Sequence, residues 1–487
     1  MFSQIVDLAQ DKMEEECGVF GIYAPGSDVA QMTCFGLYAL QHRGQESAGI
    51  AVSDGRTIRG EKGMGLVSEV FQDSAKFDRL KGYIGVGHVR YSTTGSSLLV
   101  NAQPLLVRYR NGFLAAVHNG NLVNGRKLRL ELESEGSIFQ ATTDSEVIAH
   151  LIARSGEEDV VEALKKSLPK LRGAFTFILM TPDKLIGLRD PHGIRPLSLG
   201  ETTDGYVLAS ETCAFDTVGA EFVRDIEPGE MVIIDKKGPR FIRYAESEKQ
   251  SLCVFEYIYF ARPDSNLHGR NVHMVRKRLG QRLAQEHPVE ADLVTGVPDS
   301  SLSAAAGLAE ELGLPYETGF IKNRYIGRTF IQPSQEIRTL GVRLKLNPVR
   351  QIVEGKRVVM VDDSIVRGTT SMRIVEMLRH AGAKEVHVRI SSPPVTSSCY
   401  YGIDTSSTGE LIGARMSVDE IAKAIGADSL GYISEDGMLE CVGLPKNGFC
   451  TACFSGCYPI ETNRERSGKY LIDEEDDGGC GGCGVHV

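Results

Sequence analysis

Short apolar runs separated by glycine- and asparagine-rich turns fill the first half of this chain. Val19-Phe20-Gly21-Ile22-Tyr23, Phe113-Leu114-Ala115-Ala116-Val117 and Ala174-Phe175-Thr176-Phe177-Ile178-Leu179 have the length and residue types of strands. Between them, residues 145–154 and 160–171 place apolar side chains at helical spacing. Residues 17–235 are therefore expected to form packed sheets with helices outside. A polar stretch opens at Lys236-Lys237-Gly238-Pro239, and residues 236–260 read as a linker. Beyond it the rhythm changes. Strand-like segments at 291–296, 357–361 and 385–390 alternate with helical ones, the mark of a parallel α/β sheet.

The chain has 487 residues, too many for one ordinary core, so two domains and a tail are expected. Its net charge of −10 argues against a nucleic-acid partner. No apolar run nears the ~20 residues that cross a bilayer, and the first 16 residues lack the basic start of a secretory signal. A cytoplasmic protein without a membrane partner is the expectation. Eleven cysteines are many for such a chain, and in that compartment clustered thiols point to metal or catalysis.

The most specific motif is Val358-Val359-Met360-Val361-Asp362-Asp363-Ser364-Ile365-Val366-Arg367-Gly368-Thr369-Thr370-Ser371. Four apolar residues suit a strand buried on both faces. Two carboxylates follow at its C-terminal end, where open α/β sheets bind ligands. Hydroxyls and Gly368 line the next loop, and a helix start beyond offers free N–H groups to a phosphate. A lone acid pair would ordinarily be two solvated carboxylates; the hydroxyl loop and helix start change that reading. The segment resembles the signature of type I phosphoribosyltransferases. The resemblance implies a 5′-phosphate cradle from Ser364 to Thr370, including Arg367, Gly368 and Thr369. It implies ribose contacts from Asp362 and Asp363, and one Mg²⁺ per subunit, a hard ion that suits them. Thr295-Gly296-Val297-Pro298-Asp299-Ser300-Ser301 resembles the family's pyrophosphate loop, with Ser300 as a further Mg²⁺ contact. Lys322, Tyr325 and Arg328 fall in a basic stretch resembling its lid, which alone would read as a solvated loop.

Cys17-Gly18-Val19-Phe20-Gly21-Ile22 carries a thiol at a strand start, where a lone cysteine is ordinarily an inert core residue. Gly87-His88-Val89-Arg90-Tyr91-Ser92-Thr93, Val117-His118-Asn119-Gly120-Asn121-Leu122, Thr143-Asp144-Ser145-Glu146 and Leu40-Gln41-His42-Arg43-Gly44-Gln45-Glu46-Ser47 alter that reading. Together they resemble class II glutamine amidotransferases over nearly all of residues 17–235. By that resemblance Cys17 attacks the glutamine amide, with its own α-amino group as base. Asn119 and the Gly120 N–H form the oxyanion hole. Arg90 holds the substrate carboxylate and Asp144 its ammonium. The amine is free only after removal of residues 1–16, a propeptide. His42, His88 and His118 are taken as structural.

Cys450-Thr451-Ala452-Cys453 alone fits zinc, redox chemistry or nothing. Cys253 and Cys399 would complete four thiolates, suited to a 4Fe–4S cluster or a tetrahedral zinc. Spacing does not select these four from eleven. Resemblance to the bacillus-like branch of the glutamine phosphoribosylpyrophosphate amidotransferases does, and implies one 4Fe–4S cluster per subunit on Cys253, Cys399, Cys450 and Cys453. Cys457, Cys480 and Cys483 are left unassigned.

The expected layout is then a propeptide at 1–16 and an N-terminal-nucleophile glutaminase domain of four αββα layers at 17–235. A linker at 236–260 leads to a type I phosphoribosyltransferase parallel-sheet domain at 261–425. A cluster-binding segment at 426–465 and a disordered tail at 466–487 complete it. By resemblance, glutamine and phosphoribosyl pyrophosphate are the substrates, purine nucleotides are feedback inhibitors, and the assembly is a homotetramer. Two other classes fit less well. A non-catalytic phosphoribosyl-binding regulator would lack the lid or the nucleophile, and an iron–sulfur redox protein would carry a motif for an electron partner.

Overall fold

The computed structural model describes residues 17–91, 97–246, 249–323, 346–403, 405 and 408–462. The expected propeptide and tail, the lid residues Tyr325 and Arg328, and Cys480 and Cys483 lie outside the described residues.

The first half is built on β1 (Gly18–Tyr23), β2 (Ser47–Ser53), β3 (Ile58–Met64), β4 (Ile84–Arg90), β5 (Leu105–Tyr109), β6 (Gly112–Leu122) and β7 (Gly173–Met180). It continues through β8 (Leu185–Arg189), β9 (Ser198–Thr202), β10 (Gly205–Ala209), β11 (Glu221–Asp225), β12 (Glu230–Asp235) and β13 (Gly238–Arg243). One sheet is ordered β11-β9-β10-β1-β4-β2-β3 and the other β13-β12-β8-β7-β6-β5. Val19 and Tyr23 point with Val86 into a core shared with Val117, Ile178 and Val232 of the second sheet. Phe20 and Ile22, on the opposite face of β1, pack under the helix Val29–Ala39. Phe175 and Phe177 likewise meet the helices Val147–Arg154 and Val160–Ser167 outside the second sheet. The result is helix, sheet, sheet, helix. With both sheet faces covered, these strands read as continuous apolar runs.

The expected linker is different from its reading. Gly238–Arg243 is β13, the antiparallel partner of β12, and Gly238 turns the hairpin with φ +87°. The charges that suggested a connection belong to that exposed turn. Further on, β14 (Leu252–Cys253) and the π-helical turn Glu256–Phe260 are buried, because their apolar side chains join the second domain's core.

After the hairpin β15 (Asn266–Leu267) and β16 (Arg270–Asn271), a parallel sheet carries the second half. Its strand β17 (Leu293–Gly296) precedes a small antiparallel pair, β18 (Phe320–Lys322) and β19 (Leu346–Pro348). Then come β20 (Arg357–Asp362), β21 (Glu385–Ile390) and β22 (Ser429–Tyr432), giving the order β17-β20-β21-β22. Helices Val272–Glu286 and Leu302–Leu312 cover one face, Thr369–His380 and Val418–Ile425 the other. Last, β23 (Phe449–Cys450) returns to pair with β14. No helix among the described residues is long and apolar enough to cross a membrane.

Candidate active sites

Cys17 stands just before β1, and β1 pairs with β4, which ends at Arg90. Its Sγ donates to the Tyr91 carbonyl at 3.3 Å. Burial pushes the thiol up to about 12, against the pull of Arg90. A thiolate is therefore not preformed, and attack requires a base. Arg90 donates to Glu46 Oε1 at 2.8 Å, and Cys17 feels the charges of Arg90, Glu46, Asp144 and Arg43 together.

Asn119 and Gly120 come from the end of β6. Asn119 is 1% exposed, and its Nδ2 has no hydrogen-bond partner among the described residues. A buried donor left open is costly unless something accepts from it. Gly120 has φ +133°, and a Cβ there would stand 2.1 Å from the Ala174 carbonyl oxygen, so only glycine fits. Asp144 Oδ2 accepts from the Leu122 N–H at 2.7 Å, which ties it to the same strand end. Burial pushes its carboxyl up to about 6.

The two histidines brace this corner. His88 Nε2 donates to the His118 carbonyl at 2.9 Å, joining the sheets. His118 stacks on Phe177 with ring centroids 4.2 Å apart, and its Nδ1 meets Ser145 Oγ at 2.8 Å. Burial pushes both rings down to about 3, so they stay neutral at ordinary pH.

In the second half Asp362 closes β20 and Asp363 follows it, both 1% exposed. Ser301 Oγ donates to Asp362 Oδ1 at 2.9 Å, and Ser364 Oγ to Asp363 Oδ1 at 2.7 Å. Ser300 donates to Asp363 Oδ2. Ser300, Ser301 and Ser364 direct hydroxyls at the two carboxylates, and the Arg276 guanidinium adds a favourable charge near Asp363. Gly368, with φ +88°, caps the helix Thr369–His380, whose first turn presents Thr369 and Thr370. Arg367 pairs with Glu410 at 2.7 Å, and Lys322 with Asp299 at 2.7 Å. The acids, the Ser300 loop and the Ser364–Thr370 loop thus converge at the C-terminal edge of the sheet.

The four thiols singled out share one neighbourhood, where Cys453 feels the charges of Cys450, Cys253 and Cys399. Cys253 and Cys450 are direct partners across the β14–β23 ladder. The Cys453 carbonyl accepts from the N–H groups of Thr396 (2.9 Å) and Ser397 (3.0 Å), and Cys399 Sγ accepts from the Tyr401 N–H at 3.3 Å. Burial and then the neighbouring thiols push Cys453 well up. Burial pushes Cys253 and Cys450 up to about 12. Among the described residues no three His, Cys, Asp or Glu side chains are arranged to hold a metal ion.

Residues 88–217 match the family model of a glutamine amidotransferase domain, and residues 267–391 that of a phosphoribosyl transferase domain. The amidophosphoribosyltransferase of Bacillus subtilis strain 168 is 56% identical over 460 residues, covering 93% of this chain and 96% of that one. This chain belongs to the amidophosphoribosyltransferase family. The Synechocystis amidophosphoribosyltransferase is 56% identical over 470 residues, covering 95% of each chain. A solved B. subtilis glutamine phosphoribosylpyrophosphate amidotransferase, complexed with ADP and GMP, superposes with a TM-score of 0.89 at 55% identity. That match spans 93% of this chain and all of that one, 100%. Membership makes this a transferase of purine biosynthesis with a glutamine amidotransferase domain ahead of a phosphoribosyl transferase domain. Within the family's frame, sequence reasoning missed Glu46, which orients Arg90, and Ser301, which holds Asp362. It also missed Arg43, whose guanidinium joins Glu211 and Glu256. The motif Gln41-His42-Arg43-Gly44-Gln45-Glu46 was the available signal, since charged residues beside a buried strand need partners.

Proposed function

We propose that the protein makes 5-phosphoribosylamine from glutamine, phosphoribosyl pyrophosphate and water, releasing pyrophosphate and glutamate. The open, buried Asn119 Nδ2 beside a glycine that tolerates no side chain carries this reading. With Cys17 as the N-terminus, its α-amino group takes the thiol proton, and sulfur bonds to the glutamine amide carbon. The oxygen that gains charge accepts from Asn119 Nδ2 and the Gly120 N–H; one such donor is worth about 3 kcal/mol of barrier. The nitrogen leaves as ammonia, and water hydrolyses the thioester to glutamate. Arg90 grips the substrate carboxylate and Asp144 the ammonium. In the other half the Ser364–Thr370 loop holds the 5′-phosphate, with Asp362 and Asp363 on the ribose. Ammonia bonds to the anomeric carbon as the bond to pyrophosphate breaks. An internal passage has to carry it, because bulk water would protonate it.

Asp362, Asp363 and Ser300 would hold Mg²⁺, which supplies charge stabilisation for pyrophosphate. Cys253, Cys399, Cys450 and Cys453 would hold a 4Fe–4S cluster. Cys253 and Cys453 are buried, Cys399 and Cys450 half-buried, and all four share one apolar neighbourhood, a setting that suits a thiolate-held cluster. Lys322 would contact phosphoribosyl pyrophosphate from the edge of the stretch that resembles the family's lid. The boundaries proposed are 1–16 for the propeptide, 17–243 for the glutaminase domain, 261–425 for the transferase domain and 426–465 for the cluster-binding segment. A homotetramer follows the family resemblance. Control by purine nucleotides is supported by the ADP and GMP complex of the B. subtilis relative.

N-terminal sequencing with paired assays tests this reading. Mature protein should begin at Cys17, and Cys17→Ala should lose glutamine-dependent synthesis yet keep ammonia-dependent synthesis. Full glutaminase activity with residues 1–16 still attached would overturn it.

A further inference from the structure

One turn of the transferase half, which also carries Cys399, touches the other half at Gly120, a position with no room for a side chain. Asn121 Nδ2 donates to the Tyr400 carbonyl at 2.9 Å. Arg195, fully buried, donates to the Tyr401 carbonyl through Nε at 3.1 Å and Nη2 at 2.6 Å. Gly402 then lies on Gly120: a Cβ on Gly402 would stand 3.0 Å from Gly120 C, 3.1 Å from its Cα and 3.2 Å from its O. On its other side Gly120 faces Ala174 and pairs with Phe175 of β7. Its peptide is thus held between a strand and this turn.

A second thread runs from the turn to the thiol residue. Arg195 Nη1 lies 3.8 Å from Glu256 Oε1. Glu256 accepts from Arg43 at 2.9 Å and 2.7 Å, and Arg43 Nε donates to the Cys17 carbonyl at 3.2 Å. The Arg43, Glu256 and Arg195 side chains are at most 3% exposed, so each link is short of alternative water partners. The main chains of Cys17 and Gly120 are both tied to one short segment of the other domain.

We propose that the turn formed by Tyr400, Tyr401 and Gly402 positions the oxyanion donors of the glutaminase site, with Gly402 and Arg195 as its positioning residues. The proposal rests on the reading of Gly120 as an oxyanion donor. Hydrogen bonds weaken steeply as their angle closes, so a small rotation of the 119–120 peptide removes stabilisation only where charge develops. A methyl on Gly402 presses on that peptide, and its φ of +108° disfavours any side chain. An ordinary domain contact would instead damage both halves alike when loosened.

The test uses full-length purified enzyme with Gly402→Ala and, as a milder change, Arg195→Lys. Glutaminase kcat is expected to fall about 10- to 100-fold, with KM for glutamine held within about twofold. Ammonia-dependent synthesis should stay at the wild-type rate. Glutamate γ-semialdehyde, which adds Cys17 to leave an oxygen in the same hole, should bind more weakly in parallel with kcat, while glutamate binds as before. Equal losses in both activities, a KM effect without a kcat effect, or wild-type behaviour of both variants would each overturn the proposal. If wild-type enzyme hydrolyses no glutamine, the underlying functional reading fails instead.

Discussion

Arg90 donates to Glu46 across 2.8 Å, with the two side chains 3% and 15% exposed. A guanidinium held this way keeps a fixed orientation, which is what a carboxylate clamp needs. Glu46→Gln keeps the shape and removes the charge. It is expected to raise KM for glutamine about tenfold, equivalent to ~1.4 kcal/mol of binding. Ammonia-dependent synthesis should not change. Steady-state kinetics with each nitrogen donor checks this, and an unaltered KM would remove Glu46 from the clamp.

Asp144 gives a pH signature. Burial holds its carboxyl at about 6 in the free protein, whereas only the ionised form can grip an ammonium. The acid's pKa is raised, so protonation begins as pH falls toward 6, earlier than for an exposed aspartate. The Cys17 α-amino base, with an ordinary pKa of about 8, already imposes one acid limb on glutamine kcat/KM. Below about pH 6 Asp144 should add a further fall to that limb, approaching an extra tenfold per unit. Bound substrate, being cationic nearby, should lower the pKa and keep kcat steadier. His88 and His118, neutral down to about 3, cannot produce this extra fall. Asp144→Asn should abolish it; an extra fall unchanged in that variant assigns it elsewhere.

Both domain types were legible because each carries a short stretch with its own chemistry. Asp362 through Thr370 announce a strand, a loop and a helix start in sequence, and the fold delivers that order. Four apolar runs likewise become strands buried on both faces. What stayed hidden depends on distance along the chain. Arg43 meets Glu256 across 213 positions and Asn121 meets Tyr400 across 279. No local periodicity encodes such pairs. The hairpin of β12 and β13 was missed for another reason: Lys236 and Lys237 in its turn imitate a solvated linker. Cysteine choice shows the same limit, since Cys253 and Cys450 become neighbours only when β14 and β23 pair.

The thiol cluster makes an analytical prediction. Burial raises Cys253 and Cys450 to about 12, so holding them as thiolates requires a cationic core. Anaerobically purified protein should contain about four iron and four acid-labile sulfide atoms per chain. Cys450→Ser should lower the iron content and the Tm together. Iron analysis and thermal melting decide it; stoichiometric zinc without iron would refute the cluster.

The acid pair separates the two sites most cleanly. Asp362 and Asp363 are 1% exposed, and the hydroxyls of Ser300, Ser301 and Ser364 that donate to them all come from the transferase half. Asp362→Asn with Asp363→Asn keeps the volumes but removes the charge proposed to hold ribose and Mg²⁺. Synthesis should fall at least about 100-fold with either nitrogen donor, because both converge on one sugar, while glutamate release from glutamine continues. Ser301→Ala is a graded version. It takes one hydrogen bond from Asp362, at a cost of about 1 kcal/mol, and should raise KM for phosphoribosyl pyrophosphate roughly fivefold. Glutamine-dependent and ammonia-dependent rates should shift by the same factor in that variant. A selective loss with glutamine alone would place Ser301 in communication between the halves, and the acid pair would no longer be a purely sugar-side device.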